Sequence, residues 1–464
     1  MIKRLFFCFF LATCMIGNLE AQDFPEDSWR DEADTSWFDE ELDEFDIATA
    51  EELAGLSQLV EQGRTFQDTV FNIIADIDLD GKLWEPIGFD NDTPFSGIVQ
   101  GNDHVISNLW ITGLDRSFVG LFGQSVGGEY YDLIIDTANI NNNEGDSGTL
   151  VANMFTDGLI QNCHVKNANL VALGANVGGL AGGALTDSYI KYSSFSGNVT
   201  GVWQVGGLVG QVWDKSGVSE SWSKGTVTAE YIVGGLVGYA TMAFLPDREN
   251  LIENSYSRSN VTATSSIGMA GGFYGTGEAS LIIKNAYSTG TVTGNVDVGG
   301  FIGKSGFIEI ENAYYDMESS GMETAIGTEM EDGPELDIEG KTTEEMTTPE
   351  FADTLNGEQE ETPWSQEEGI NEGYPFLGDG TMAVEKENML NVNIYPTQVD
   401  QQFYIQSDNR LNAYEIYSLQ GQKVAEGALG AGENEIRVGN LSTGIYIVKI
   451  AGEQTVTSKK IIKK

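Results

Sequence analysis

The chain of 464 residues holds 71 Asp and Glu against 24 Lys and Arg, a formal net charge of −47. That balance argues against nucleic acid as a partner, because phosphate contacts need clustered cations, and against electrostatic attachment to anionic lipid. The apolar fraction of 41% and the length accommodate two or three domains, and the 57 glycines exceed an ordinary share.

In chain order, Lys3 and Arg4 precede a Phe-rich apolar run from Leu5 to Ile16, and Leu19-Glu20-Ala21 offers a cleavage site before Gln22. Residues 1–21 therefore read as a secretory signal peptide, too short for a stable membrane span. A rival reading is the lipoprotein box Leu11-Ala12-Thr13-Cys14, in which Thr13 fits poorly. No other run reaches the ~18 apolar residues of a transmembrane helix. Residues 22–46 carry 12 acidic side chains, Arg30, and the aromatics Trp29, Trp37, Phe38 and Phe45. They are predicted to be a disordered acidic tail, the alternative being a short partner-binding segment. Cys8 and Cys14 leave with the signal peptide, so Cys163 stands alone and the mature chain forms no internal disulfide.

Thr49-Ala50-Glu51-Glu52 has capping-box spacing, and Leu53, Leu56, Leu59 and Val60 continue one apolar face, which predicts a capping helix over 50–62. A repeat follows. VGGLVG stands at 205–210 and 233–238, with variants at 118–123, 177–182, 270–275 and 298–303 and a decayed copy at 148–153. Its central residues are Leu121, Leu150, Leu180, Leu208, Leu236, Phe273 and Phe301, spaced by 29, 30, 28, 28, 37 and 28. SWSKGTVT (221–228), SYSRSNVT (255–262) and AYSTGTVT (286–293) form a second aligned motif. The long unit has insertions near 242–248 and 265–267, where a solenoid would place surface loops. No unit has a helical apolar period, and one unit cannot bury its apolar residues alone.

Stacked coils ~4.8 Å apart can bury them, with the Leu/Phe series as an internal ladder. The glycine pairs would sit at corners, where positive φ or close backbone approach excludes a Cβ. About 28 residues per coil suits a parallel β-helix of three strands per coil, and nine or ten coils give a rod of roughly 45 Å. A β-propeller needs about 40 residues per blade and ranks below. Thr342-Thr343-Glu344-Glu345 and Thr348-Pro349 predict further helix starts at the far end. The repeats resemble the GLUG-motif family of bacterial surface proteins over residues 47–378. The resemblance includes ATAEELAGLSQLV (48–60), ADIDLDGKLWEPIG (75–88), GIVQGNDHVISNL (97–109), NAYYDMESSG (312–321) and KTTEEM (341–346). It implies a cell-surface protein; the motif occurs in adhesins and beside protease domains and is not itself a known catalytic site.

Residues 22–390 hold 63 acidic and 14 basic side chains, and residues 391–464 hold 7 and 8, so a boundary falls near 390 with a linker at 379–390. Strands are predicted at 392–395, 402–406, 413–418, 423–426, 434–438, 444–450 and 455–462, a small antiparallel sandwich. NIYPTQVDQQFYI (393–405), YEIYSLQGQKV (414–424), LSTGIYIVKI (441–450) and KKIIKK (459–464) resemble the type A C-terminal sorting domain of the type IX secretion system of Bacteroidetes. The matching motif residues are Tyr395, Pro396, Gly421, Gly444, Tyr446, Lys459 and Lys460, and Thr397-Gln398 departs from the family's Asn-Pro. The resemblance implies the type IX machinery as a partner, passage through the outer membrane, removal of the module and attachment to surface lipopolysaccharide.

Chemistry-bearing motifs are few. HExxH and GxxxxGK[ST] are missing, and His104 and His164 are the only histidines available to a Ser-His-Asp triad. His104 reads as a turn residue. Cys163 beside His164 reads as one strand pointing two side chains to opposite faces. Asp76, Asp78 and Asp80 resemble the start of a calcium loop, but position 12 is Ile87, and a strand with Ile77 and Leu79 inward is the plainer reading. No cofactor other than calcium is suggested. Trp203, Trp213 and Tyr231 would stack on sugars if exposed, or belong to the core if not. The scarcity of basic groups disfavours a lyase for anionic polysaccharide. The expectation is an adhesin-like binding rod for an unidentified glycan or protein, with a glycan-active hydrolase or a purely structural surface component as alternatives.

Overall fold

The computed structural model describes residues 24–378, apart from 114–115, 242–247, 279 and 331–335. It also describes 392–464, apart from 396–397, 400, 408–410, 419–422, 431, 440, 443 and 453–455. The expected signal peptide and linker, with Pro396 and Gly421, lie outside the described residues. The chain divides into two compact units after Gly378.

The first unit is a parallel β-solenoid of about ten turns. In one coil, Leu159–Gln161 and His164–Ala172 make a long face that bends at Asn162, whose φ is 55°. Asn176–Gly178 makes a short second face and Ala181–Leu185 a third. Each strand pairs in parallel with its counterpart one coil on: Ile160 with Ile190, Val165 with Phe195, Val177 with Val205, Ala181 with Val209. Side chains that alternate inward therefore meet their equivalents, and Ile160, Val165, Leu170 and Val177 all fall in one continuous interior. This is the three-faced β-helix that the 28-residue period predicts, and the coil-to-coil pairing has no place for propeller blades.

The seven Leu and Phe of the repeat are completely buried. The backbone N–H of Leu180 donates to Leu208, and that of Leu208 to Leu236, at 2.9 Å, while the rings of Phe273 and Phe301 stack with centroids 4.6 Å apart. Each buried side chain contributes roughly 1.5–3 kcal/mol. The hexapeptide glycines do not need positive φ. Close approach alone excludes a side chain: a Cβ on Gly206 would lie 1.9 Å from the Val209 carbonyl oxygen, and one on Gly207 2.0 Å from that of Gly235.

Helix α1 (Ala50–Glu61) opens with a complete capping box. Thr49 accepts from the Glu52 N–H, and the Glu52 carboxylate accepts from the Thr49 N–H at 3.2 Å. Its Leu53, Leu56, Leu59 and Val60 are buried in the solenoid's interior cluster. The preceding segment is not the solvated tail expected from its charge. Glu44–Ile47 pairs in parallel with Val70–Ile73 as the first rung, Phe45 stacks on Phe71, and Trp29 is buried with its indole N–H donating to the Leu79 carbonyl at 3.0 Å. The interspersed aromatics, not the carboxylates, decide the outcome, because the described carboxylates stay at the surface while the rings reach an interior that already exists.

Helix α2 (Met317–Ser320) precedes the last parallel strands, Ile326–Thr328 and Ile338–Lys341, and α3 (Thr343–Met346) and α4 (Pro349–Asn356) follow them. Thr342 closes a capping box with Glu345, whereas Thr348 precedes Pro349 without a side-chain cap. Helix α4 and the hairpin Trp364–Ser365/Phe376–Leu377 lie against the outside of the long face. There they cover the in-register column Trp222, Tyr256, Tyr287 and Tyr314. Arg258, nearly buried, pins this flank through Glu372 at 2.6 Å and Asn371 at 2.7 Å.

The second unit is a small two-sheet domain. Val392–Tyr395, Gln402–Ser407 and Gly432–Arg437 form one antiparallel sheet. Leu411–Ser418, Lys423–Ala428, Gly444–Gly452 and Val456–Lys463 form the other. An eighth strand that the residue pattern did not suggest, Gln398–Val399, joins the second sheet in parallel with Val456–Lys463. Phe403, Ile405, Ile416, Ile436, Val448 and Ile461 fill the space between.

Candidate functional site

The alternating faces of the long strand separate Cys163 from His164. The thiol lies in the interior near the Tyr130 carbonyl at 3.5 Å, and burial pushes it up to about 12, so it is no nucleophile at neutral pH. His164 lies on the outer face, in register with Ser194 one coil on. Its Nδ1 is 2.8 Å from Ser194 Oγ and its Nε2 3.1 Å from Asn162 Oδ1. The Asn162 amide donates to Asp132 at 2.6 Å, which fixes its oxygen toward the ring. Nε2 therefore carries the proton, and Nδ1 accepts from the Ser194 hydroxyl. The string Ser194–His164–Asn162–Asp132 resembles a relay, but His164 and Ser194 are both buried, and burial lowers the imidazole to about 4. A base that weak, so enclosed, suits a satisfied polar ladder better than catalysis.

The bend of the long face puts one residue per coil at positive φ: Asp132, Asn162, Tyr192, Glu220, Asn254, Asn285 and Asn312. Asp and Asn tolerate this region, whereas Tyr and Glu are strained there. The two departures are neighbours. Tyr192 donates to the Glu220 carboxylate, and burial followed by the charges of Glu361 and Glu253 raises Glu220 above the ordinary carboxylate range. Reading the motifs alone missed this pair because its members are one coil apart; aligning the bend position through the repeat would have exposed it.

Ile77 and Leu79 are buried, and Ile77–Asp78 is a strand pairing with the strand Val105–Thr112. Asp76 accepts from the Val105 N–H at 3.0 Å and lies 3.1 Å from His104 Nδ1, contacts that lower its carboxyl. Asp78 accepts from Asn108 at 2.8 Å and from the Asp80 N–H at 3.0 Å. These bonds tie two of the three carboxylates to the neighbouring strand Val105–Thr112. Among the described residues, no group of three or more His, Cys, Asp or Glu is arranged to hold a metal ion.

The turn from the long face to the first short face carries a different signal. Trp203 is 51% exposed, and its ring stacks on Tyr231 of the next coil, centroids 4.3 Å apart and planes 18° from parallel. Leu173, Ile267 and Val296 stand exposed on the same turn of the flanking coils. Trp213, by contrast, is half-buried at the end of the strand Val209–Trp213.

In the second unit, Tyr395, Gly444, Lys459 and Lys460 lie on strands, the last two paired with Val448 and Ile447. Tyr446 is buried and donates to the Ser442 carbonyl at 2.9 Å.

Residues 393–464 match the family described as the secretion system C-terminal sorting domain. The chain is thus cargo of the type IX secretion system, and its tail implies export to the cell surface or extracellular space. No helix among the described residues is long and apolar enough to cross a membrane. Halomucin of Haloquadratum walsbyi is 30% identical over 155 residues, 31% of this chain and 2% of halomucin. The "Putative Gly-rich membrane protein" of Evansella cellulosilytica is 36% identical over 83 residues, 17% of this chain and 9% of that protein. The chain thus spans only a small share of the length of these curated relatives. Among solved structures, a "putative immunoglobulin A1 protease" from Bacteroides ovatus is similar to 72% of this chain and 91% of that one, with TM-score 0.48 and 21% identity.

Proposed function

We propose that the solenoid is a non-catalytic, adhesin-like binding element, carried outward by its sorting domain and presenting the corner around Trp203 to a glycan or protein on another surface. The supporting observation is the row of exposed apolar side chains on successive coils, which interior packing does not require. Attachment to surface lipopolysaccharide after removal of residues 391–464 would hold the rod at the cell; release would make it extracellular. The reading is tested by titrating the purified chain from residue 22 onto glycan arrays, extracellular-matrix proteins and cells. Saturable binding to at least one of these is expected; saturable binding to none would count decisively against an adhesive role.

A second reading, a glycan-active hydrolase, is favoured by one arrangement: the strained Tyr192–Glu220 pair beside Glu253 and Glu361. A carboxyl held above the ordinary range is what a general acid needs. The Glu220→Gln variant separates the two readings, since only the hydrolase loses its activity.

A further inference from the structure

We infer that the corner bearing Trp203 and Tyr231 docks a protein, and that the docked surface is apolar and rimmed by Lys or Arg. This rests on the binding reading above and names the class of partner.

The corner is built by register. Gln204 pairs with Asn176 and with Ile232, and Ile232 with Met269, so the residues just before them lie over one another. The backbone N–H of Tyr231 donates to Val202, and that of Met269 to Tyr231. Trp203, Tyr231 and Val296 fall in register in this turn, with Ile267 one residue and Leu173 two residues earlier in theirs, so the five share one turn on five successive coils, a strip of roughly 19 Å at ~4.8 Å per coil. Half of the eight large apolar side chains exposed among the described residues stand here, so the exposure is concentrated rather than scattered.

Three observations choose the occupant. First, Trp203 and Tyr231 each cover one face of the other, because the stack runs from coil to coil. The strip therefore presents ring edges and aliphatic ends, whereas a sugar ring is recognised by an open aromatic face beside polar groups. Second, the Tyr231 hydroxyl is already bonded to Glu230. The remaining side chains of the strip are apolar, with the aromatic-plus-aliphatic character of protein hot spots. Third, the charged groups in the turns 173–176, 201–204, 229–232, 263–269 and 293–298 are Glu230 and Asp297, with no Lys or Arg, on a chain of net charge −47. Two such copies repel one another, and an anionic surface is repelled too. An apolar surface with a cationic rim is complementary.

The test uses the purified chain from residue 22 at about 0.3 M NaCl, where screening to roughly 6 Å suppresses long-range attraction. The probes are an amphipathic Leu/Lys peptide of about 20 residues, its Leu/Glu and Ser/Lys counterparts, and a neutral cello-oligosaccharide. The Leu/Lys peptide is expected to bind at least about tenfold more tightly than either counterpart. Trp203→Ala and Ile267→Ser should each remove that advantage; the exposed Ile267 should leave the unfolding midpoint unchanged, and loss of the Trp203–Tyr231 stack should lower it only slightly, with the native fold retained. Equal binding of the Leu/Lys and Ser/Lys peptides, or no effect of the variants, would overturn the inference. Oligosaccharide binding lost in Trp203→Ala would assign the corner to a glycan, overturning this inference while leaving the adhesive reading intact. Self-association lost in that variant would assign it to a second copy and overturn the inference as well.

Discussion

At the scale of single residues, His164 shows how a coil fixes the state of a side chain. Desolvation lowers its folded-state value to about 4, the Asp132 charge opposing this only in part. The unfolded chain titrates near 6.5, so between those values the unfolded state binds a proton that the native state does not. Stability must therefore fall as pH drops from about 6.5 to about 4, by up to roughly 3 kcal/mol from this group. Denaturant titrations of the native chain and of His164→Asn across that range should show the native protein losing more; equal slopes would contradict the buried, neutral imidazole. The glycines give a second residue-scale prediction. Gly206→Ala would force a Cβ to 1.9 Å from the Val209 carbonyl oxygen, and since backbone cannot step aside cheaply, a loss of about 3 kcal/mol is expected from its unfolding midpoint. Sequence supplied the identity of these positions. It did not supply the reason, because close backbone approach and left-handed backbone both select glycine, and only the folded coil distinguishes them.

Among elements, what was readable depended on sequence distance. The repeat period, the Leu/Phe ladder and the Thr49 capping box were legible because each is a regular or local pattern, with burial or hydrogen bonds repeating at fixed spacing. The aromatic of the SWS, SYS and AYS motifs was legible as a repeat, but not its cover, since α4 and the hairpin come from about a hundred residues downstream. The segment 22–46 misled for the complementary reason: its charge outweighs its rings in composition, while the rings alone decide packing. The flank gives a prediction of its own. Arg258→Leu removes the cation that meets Glu372 and Asn371 and the guanidinium stacked 4.8 Å from Tyr374. The cost should be about 2 kcal/mol, confined to the flank. Hydrogen exchange should show residues 343–377 opening while the solenoid's inner strands stay protected; unchanged exchange would mean that the aromatic column alone holds the segment.

For the whole molecule, two units with separate cores fit the proposed division of tasks: the solenoid would present a binding surface, and residues 393–464 match the secretion system C-terminal sorting domain. Deleting residues 391–464 is expected to leave the solenoid folded and trapped in the periplasm, measured by protease accessibility on intact cells; efficient display of the truncated chain would refute the sorting role. The candidate site was the least legible part. Trp203 and Tyr231 were visible as residues, but whether they faced water or core depended on where the coil turns, and the Tyr192–Glu220 pair exists only after neighbouring coils stack. The measurement that bears most directly on the account is the release of reducing ends from a panel of neutral and acidic polysaccharides by the purified chain from residue 22. A binding rod predicts no release across the panel, with saturable binding to a surface retained. Release that persists through purification and disappears in Glu220→Gln would contradict it and make the solenoid an enzyme.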